Sequence, residues 1–196
     1  EKIMSSTNRG KTQRKELDYY KTPVPAIMDF LLSAQNNSPD LFDWNGKLIL
    51  DPCAGGDINK NESMSYPEAL GKIKWQYPPT IDTIDLRQDS KAGIKTDYLT
   101  WKTEPIYDVI ITNPPFVLAL PIIQKALQDV KDGGLVIMLL RLNFFGSQER
   151  FKFWDTTMPI YTYVHSKRMG FTLKGTDSIE YQHCIWQKGN YPKFTK

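Results

Sequence analysis

Residues 109–140, VIITNPPFVLALPIIQKALQDVKDGGLVIMLL, decide the fold. Two uninterrupted apolar runs, 109–112 and 135–140, flank a segment in which Leu120, Ile123, Ala126, Leu127 and Val130 recur at helical spacing. Unbroken apolar strands are those covered on both faces, and a strand-helix-strand succession is the signature of parallel pairing through a crossover. Upstream, the apolar run 47–50 ends in the turn-rich Asp51-Pro52-Cys53-Ala54-Gly55-Gly56, and a further strand-like run lies at 81–84. Val24, Ile27, Met28, Leu31 and Leu32 trace one helical face, with Thr22 at N-cap and Pro23 at N1 as a helix start. Ser65 and Glu68 have capping-box spacing ahead of Ala69, Leu70 and Ile73. Near the end, Ile179, Tyr181, His183 and Ile185 alternate with polar neighbours, the pattern of a late, more exposed strand. The pattern predicts a doubly wound α/β sheet with helices on both faces. Ligands of such sheets bind beyond the carboxyl ends of the strands, here residues 51–57, Asp85, 113–116 and 141–145.

The length of 196 residues suits one domain with a sizeable core. Two cysteines, Cys53 and Cys184, with no CxxC spacing, argue against a disulfide scaffold or structural zinc and for a reducing, cytoplasmic setting; no metal is expected. The longest uncharged run, 109–124, holds three prolines and falls short of the ~20 apolar residues of a membrane helix, and no secretory signal is evident. The net charge of +3 is carried by residues 1–16, five basic against two acidic, which read as a flexible basic arm that is either a solvated tail or a phosphate contact. Residues 141–174 hold a second excess, six basic side chains against Glu149 and Asp155, which suits a polyanion. No GxGxxG occurs, which counts against a nicotinamide enzyme.

Asn113-Pro114-Pro115-Phe116, directly after a buried strand, is the sharpest chemical signal. Two prolines fix two φ angles and withdraw two backbone donors, so the loop stiffly presents acceptors. An exocyclic amino group is a poor nucleophile because its lone pair is delocalised. Two acceptors on its hydrogens favour the pyramidal, nucleophilic form, and an aromatic ring can stack on the base.

These residues resemble the signature of S-adenosylmethionine-dependent DNA amino-methyltransferases acting on adenine, Asn/Asp-Pro-Pro-aromatic. The resemblance implies a Rossmann-like methyltransferase sheet in which Asn113 and the Pro114 carbonyl grip the target amine, Pro115 stiffens the turn and Phe116 stacks on a flipped base. Supporting matches run from about residue 19 to 186. Asp51, Pro52, Cys53, Ala54 and Gly55 resemble the cofactor loop, with Asp57 where the family has its last glycine. Asp85 resembles the ribose-binding acid, displaced by an insertion around 57–80. Asp97 and Tyr98 resemble the motif that receives the adenine of the cofactor. Tyr20, Thr22 and Pro23 resemble the motif at its methionine end.

Arg141, Asn143, Phe144, Lys167, Arg168 and Lys174 mix cations, an amide and an aromatic ring as nucleic-acid contacts would, or form a solvated face around core aromatics. After the motif only 80 residues remain, so residues 17–196 are expected to form one methyltransferase domain without a large target-recognition domain, as in compact phage-type members. The implied activity is transfer of a methyl group from S-adenosylmethionine to the 6-amino group of adenine in DNA, with double-stranded DNA as partner and self-association or a partner subunit left open. Rival readings are an RNA adenine, cytosine amino or protein glutamine acceptor, and a catalytically silent nucleic-acid-binding subunit, for which Asp57 is the hint.

Overall fold

A computed structural model describes residues 21–171 and 179–195. The basic arm, Tyr20 and Lys174 lie outside the described residues. Among them the chain forms β1 (Leu48–Asp51), β2 (Thr80–Asp85), β3 (Ile94–Lys95), β4 (Tyr107–Thr112), β5 (Val130–Arg141), β6 (Tyr161–Val164) and β7 (Tyr181–Gln187). The helices are α1 (Val24–Asn37), α2 (Ser65–Lys72), α3 (Ala119–Asp129) and α4 (Gln148–Trp154). The strands form one sheet in the order β3-β2-β1-β4-β5-β7-β6. All neighbours pair in parallel except β7, which runs antiparallel to both β5 and β6.

Alternation along the strands sorts side chains to two cores. Ile110, Val136, Met138, Leu140, Cys184 and Trp186 meet α3 on one face. Val109, Ile111, Leu135, Ile137 and Ile185 meet α1 and α2 on the other. Coverage of both faces is the reason the central strands are written as unbroken apolar runs.

Three local expectations are corrected. Pro23, not Thr22, is the N-cap of α1, and Pro25 follows in the first turn where a missing donor costs nothing. The N-cap of α2 is Met64, with no side-chain cap; Glu68 instead accepts from Ser63 and Lys72, so the Ser65–Glu68 spacing makes no capping box. The late strand β7 is buried along almost its whole length, because β6 pairs on its outer side. The short strands β3 and β6 and helix α4 carry no periodicity of their own and are set by pairing and packing.

The parallel strand β1 pairs with β2 on one side and β4 on the other. The direction of winding reverses there, and the loops beyond the carboxyl ends of β1 and β4 diverge to leave a crevice.

Candidate active site

A cavity of about 840 Å³ occupies that crevice, lined by residues following β1 (Pro52, Cys53, Ala54), β2 (Asp85, Leu86, Arg87), β3 (Asp97, Tyr98, Leu99), β4 (Asn113–Phe116) and β5 (Arg141, Asn143, Phe144). Its size is that of a small-molecule site. A smaller hollow of about 530 Å³ lies at the opposite ends of the strands, by Pro39 and Pro192, and gathers none of the candidate residues.

The Asn113 amide is held at one end. Its Nδ2 donates to the Thr22 hydroxyl at 3.0 Å, while Oδ1 is buried without a hydrogen-bond partner among the described residues. A buried, unsatisfied acceptor costs roughly 1–3 kcal/mol, so its retention on a residue of the cavity wall makes it a candidate acceptor for a ligand's donor. Pro114 is buried and Pro115 exposed, and the turn Phe116–Leu118 begins at once. The guanidinium of Arg141 sits 4.6 Å from the Phe116 ring centroid, and Tyr181 packs against the same ring at 5.7 Å. The Nε of Arg141 is buried without a partner among the described residues.

Beyond β1, Gly55 and Gly56 take φ of 69° and 73°, a left-handed conformation that favours glycine. A Cβ at Gly56 would come within 2.9 Å of the Lys91 Cβ and 3.2 Å of the Glu62 carbonyl oxygen. Asp85 fixes this loop: its Oδ2 accepts from the Gly55 N–H at 2.8 Å, and its Oδ1 from the Arg87 N–H at 2.8 Å, with the Arg87 Nε at 3.5 Å. Asp97 accepts from the Leu99 N–H at 2.9 Å, and the Tyr98 hydroxyl donates to the buried Asp129 at 2.7 Å. Asp57 does not line the cavity. Its carboxylate accepts from the Asn59 and Lys60 N–H groups, and its backbone pairs with Glu62, so the residue in place of the last glycine closes its own turn.

Asp51 is 1% exposed. Its Oδ1 accepts from the Thr112 hydroxyl at 2.6 Å, Oδ2 has no partner among the described residues, and burial pushes its carboxyl up to about 7. The protonated form is thus favoured by folding, a contribution fully present below about pH 4 and lost as pH rises through about 7. A shift of that size is worth on the order of 4 kcal/mol. The buried histidines His165 and His183 act oppositely, destabilising the fold as pH falls below about 6.5. Comparison with Asp51→Asn isolates the carboxyl: urea unfolding of the two free proteins should show the wild type losing stability relative to the variant between pH 4 and 7. Parallel pH profiles would remove Asp51 from this role. Burial pushes the Cys53 thiol well above its ordinary value, so it is a wall residue rather than a thiolate nucleophile.

The other sequence candidates divide. Arg141 and Asn143 reach the cavity, whereas Phe144 is buried under the guanidinium of Arg150 and packs edge-on against Phe145, so it is wall rather than a base-stacking ring. Lys167 and Arg168 are exposed and outside the cavity, Arg168 pairing with Glu180 at 3.6 Å. The sequence reading did not take Ser65, Tyr66, Arg87, Glu149 or Arg150 as site residues, yet all of them line the cavity. Arg87, two residues after Asp85, carried a positional hint, and Arg150 belongs to the basic excess of 141–174. Among the described residues no group of three or more histidine, cysteine or acidic side chains is arranged to hold a metal, and no helix is long and apolar enough to cross a membrane.

No family model and no curated protein sequence matches the chain. Solved structures do. A Listeria monocytogenes protein assigned to the class I S-adenosylmethionine-dependent methyltransferases superposes with a TM-score of 0.61 at 16% identity, over 89% of this chain and 64% of the other. A Pyrococcus horikoshii protein assigned as an RNA methyltransferase gives 0.60 at 16%, over 88% and 87%. The M protein of the type I restriction enzyme EcoKI gives 0.55 at 13%, over 89% and 45%, so this chain spans under half of that one. The fold is the Rossmann-like one these methyltransferases share.

Proposed function

We propose that this chain transfers a methyl group from S-adenosylmethionine to the 6-amino group of adenine in DNA. The observation that carries the proposal is the buried, unpartnered Asn113 Oδ1 at the switch-point cavity, followed by two prolines and Phe116. The likeness of the fold to class I S-adenosylmethionine-dependent methyltransferases, one of them a restriction-enzyme M protein, supports the cofactor and a nucleic-acid acceptor.

The residues fit the cofactor. Asp85 and Asp97 offer carboxylate acceptors for hydroxyl and amino donors, Leu86 and Leu99 offer apolar walls, and the left-handed Gly55 and Gly56 let a ligand approach the backbone. The Thr22 hydroxyl, while accepting from Asn113, keeps its own proton to donate. Bound there, S-adenosylmethionine would supply a methyl group already activated on sulfonium, so the protein's task is positioning and electrostatics. Asn113 Oδ1 and the Pro114 carbonyl then accept the two hydrogens of the target amine, which withdraws its lone pair from the ring and turns it outward. Thr22 holds the amide in the orientation that leaves Oδ1 free. Phe116 contributes a stacking face, and Arg141 beside it a cation for the acceptor's backbone.

The test is methyl transfer from labelled S-adenosylmethionine to unmodified double-stranded DNA, read by nucleoside mass analysis. Methylated deoxyadenosine is the expected product. Label in RNA, in cytosine or in a glutamine side chain would replace the acceptor, and cofactor binding without any product would make the chain a silent subunit. Deleting residues 1–16 is expected to lower the salt dependence of DNA binding by about one to four released counterions. Equal slopes in a filter-binding titration would make the arm a passive tail.

A further inference from the structure

Asn113 stands one residue past the Thr112–Met138 pair, and Leu139, the residue after Met138, pairs with His183. Asn113, the residue after β4, is therefore level with Leu139 of β5 and His183 of β7, β4, β5 and β7 being neighbours in the sheet. Both histidines of the sequence meet at this level. His183 Nδ1 lies 2.7 Å from His165 Nε2, and His183 Nε2 lies 2.9 Å from the Tyr66 hydroxyl. The Phe30 ring lies flat on His183, centroids 4.2 Å apart and planes 9° from parallel. Tyr66, in the first turn of α2, is itself a wall of the cavity that Asn113 lines. At the other end His165 reaches the edge of the buried region, with Tyr163 packed on its ring and the exposed Asp29 of α1 acting on it. A hydrogen-bonded file thus leads from a residue of the cavity wall to His165, 9% exposed, at the edge of the buried region.

Burial holds both imidazoles neutral, pushing His165 down to about 4 and His183 well below its ordinary value. A neutral imidazole has one N–H and one bare nitrogen, so the file has two self-consistent polarities. With all donors pointing outward, Tyr66 donates to His183 Nε2 and His183 Nδ1–H donates to His165 Nε2, leaving the Tyr66 oxygen to accept from the cavity. With all reversed, Tyr66 presents its O–H to the cavity. The methyl-transfer chemistry above uses neither histidine, yet methylation of a neutral amine leaves a proton that the two acceptors on it, Asn113 Oδ1 and the Pro114 carbonyl, cannot keep. Amide and carbonyl oxygens are too weakly basic, and Asp51 is not on the cavity wall.

We propose that Tyr66, His183 and His165 form a proton relay that carries this proton out of the cavity; the proposal rests on the amino-methyltransferase function above. The new N–C bond forms as the S–C bond breaks, and the nitrogen is left with one proton in excess. Tyr66 Oη takes it as its own proton passes to His183 Nε2. The Nδ1 proton of His183 passes to His165 Nε2, and the Nδ1 proton of His165 leaves to water. The methylated amine keeps one hydrogen, and the file ends in the reversed polarity.

Single-turnover methylation of DNA in weak buffer, with product measured by quenching and released protons by an indicator dye, tests the relay. In the wild type proton release should keep pace with product. Tyr66→Phe keeps the ring and its packing but breaks the file, and should slow product formation about tenfold or more with proton release lagging further behind. Nitrogen-15 shifts of the two imidazoles give a readout independent of activity: one protonated and one bare nitrogen on each ring from about pH 5.5 to 8 is expected. Two protonated nitrogens on either ring in that range, or a Tyr66→Phe protein with wild-type rate and coincident proton release, would overturn the relay alone. A wild type that methylates no amino group would overturn the function and the relay together.

Discussion

Asn113→Ala is expected to lower the rate of adenine methylation by about 10²–10³-fold, the usual cost of removing one preorganised polar partner of a developing charge. The Oδ1 atom is buried and unpartnered among the described residues, and Asn113 lines the cavity, so the acceptor is already in place before the amine arrives. Because its work is done in the transition state, kcat should fall while cofactor affinity, followed by titration calorimetry, changes less than about threefold. A collapse of cofactor affinity together with turnover would make Asn113 a structural support instead. Thr22→Val offers an internal check. It removes the acceptor for Asn113 Nδ2 at 3.0 Å but leaves Oδ1 present, so the loss should be smaller than for Asn113→Ala.

Asp85→Ala is expected to weaken S-adenosylmethionine binding by roughly 1–3 kcal/mol and to lower stability by a similar amount. One carboxylate does two things here. It accepts the Gly55 N–H, which holds the left-handed loop after β1, and it faces the Arg87 guanidinium in a largely buried setting. Removing it takes from Arg87 one of its partners, Asp89 and the Gly56 carbonyl remaining, and frees the loop, so binding suffers through geometry as well as through the lost acceptor. Asp85→Asn separates the two effects, since an amide oxygen can still accept from Gly55 but carries no charge toward Arg87. An Asn variant that recovers binding and not stability would assign the affinity to loop geometry. An unchanged binding isotherm in Asp85→Ala would exclude Asp85 from the cofactor site.

The order of the chemistry along the chain was legible because each part of it is local. The strand 109–112 and the motif that follows it are adjacent in sequence, and so are β1 and its glycine loop. A parallel strand covered on both faces must be apolar throughout, so β4 and β5 announce themselves by composition. The loops at their carboxyl ends are then placed by topology, which is why Cys53, Asp85, Asp97 and Asn113 all reach one cavity.

What stayed hidden depends on partners far away in sequence. The alternation from Ile179 to Ile185 predicts an exposed strand, but β6 covers its outer side, and no residue of β7 encodes that neighbour. Phe144 reads as a ring available for stacking until packing against Phe145 and under Arg150 of α4 buries it. Asp57 reads as a defect in the cofactor loop until its carboxylate is seen closing the turn at Asn59 and Lys60. Tyr66, His183 and His165 are separated by up to 117 residues, and only the packing of α2 on the sheet and the pairing of the β6 end with β7 join them. The alternation of buried strands and helices and the chemistry of each loop follow from the residue order alone, because burial and backbone stiffness are written in neighbouring residues. Which loops share a cavity wall, which acceptors lack partners and which histidines meet are set by the folded arrangement. Those depend on strand order and register, properties of the assembled sheet that no short stretch of chain contains.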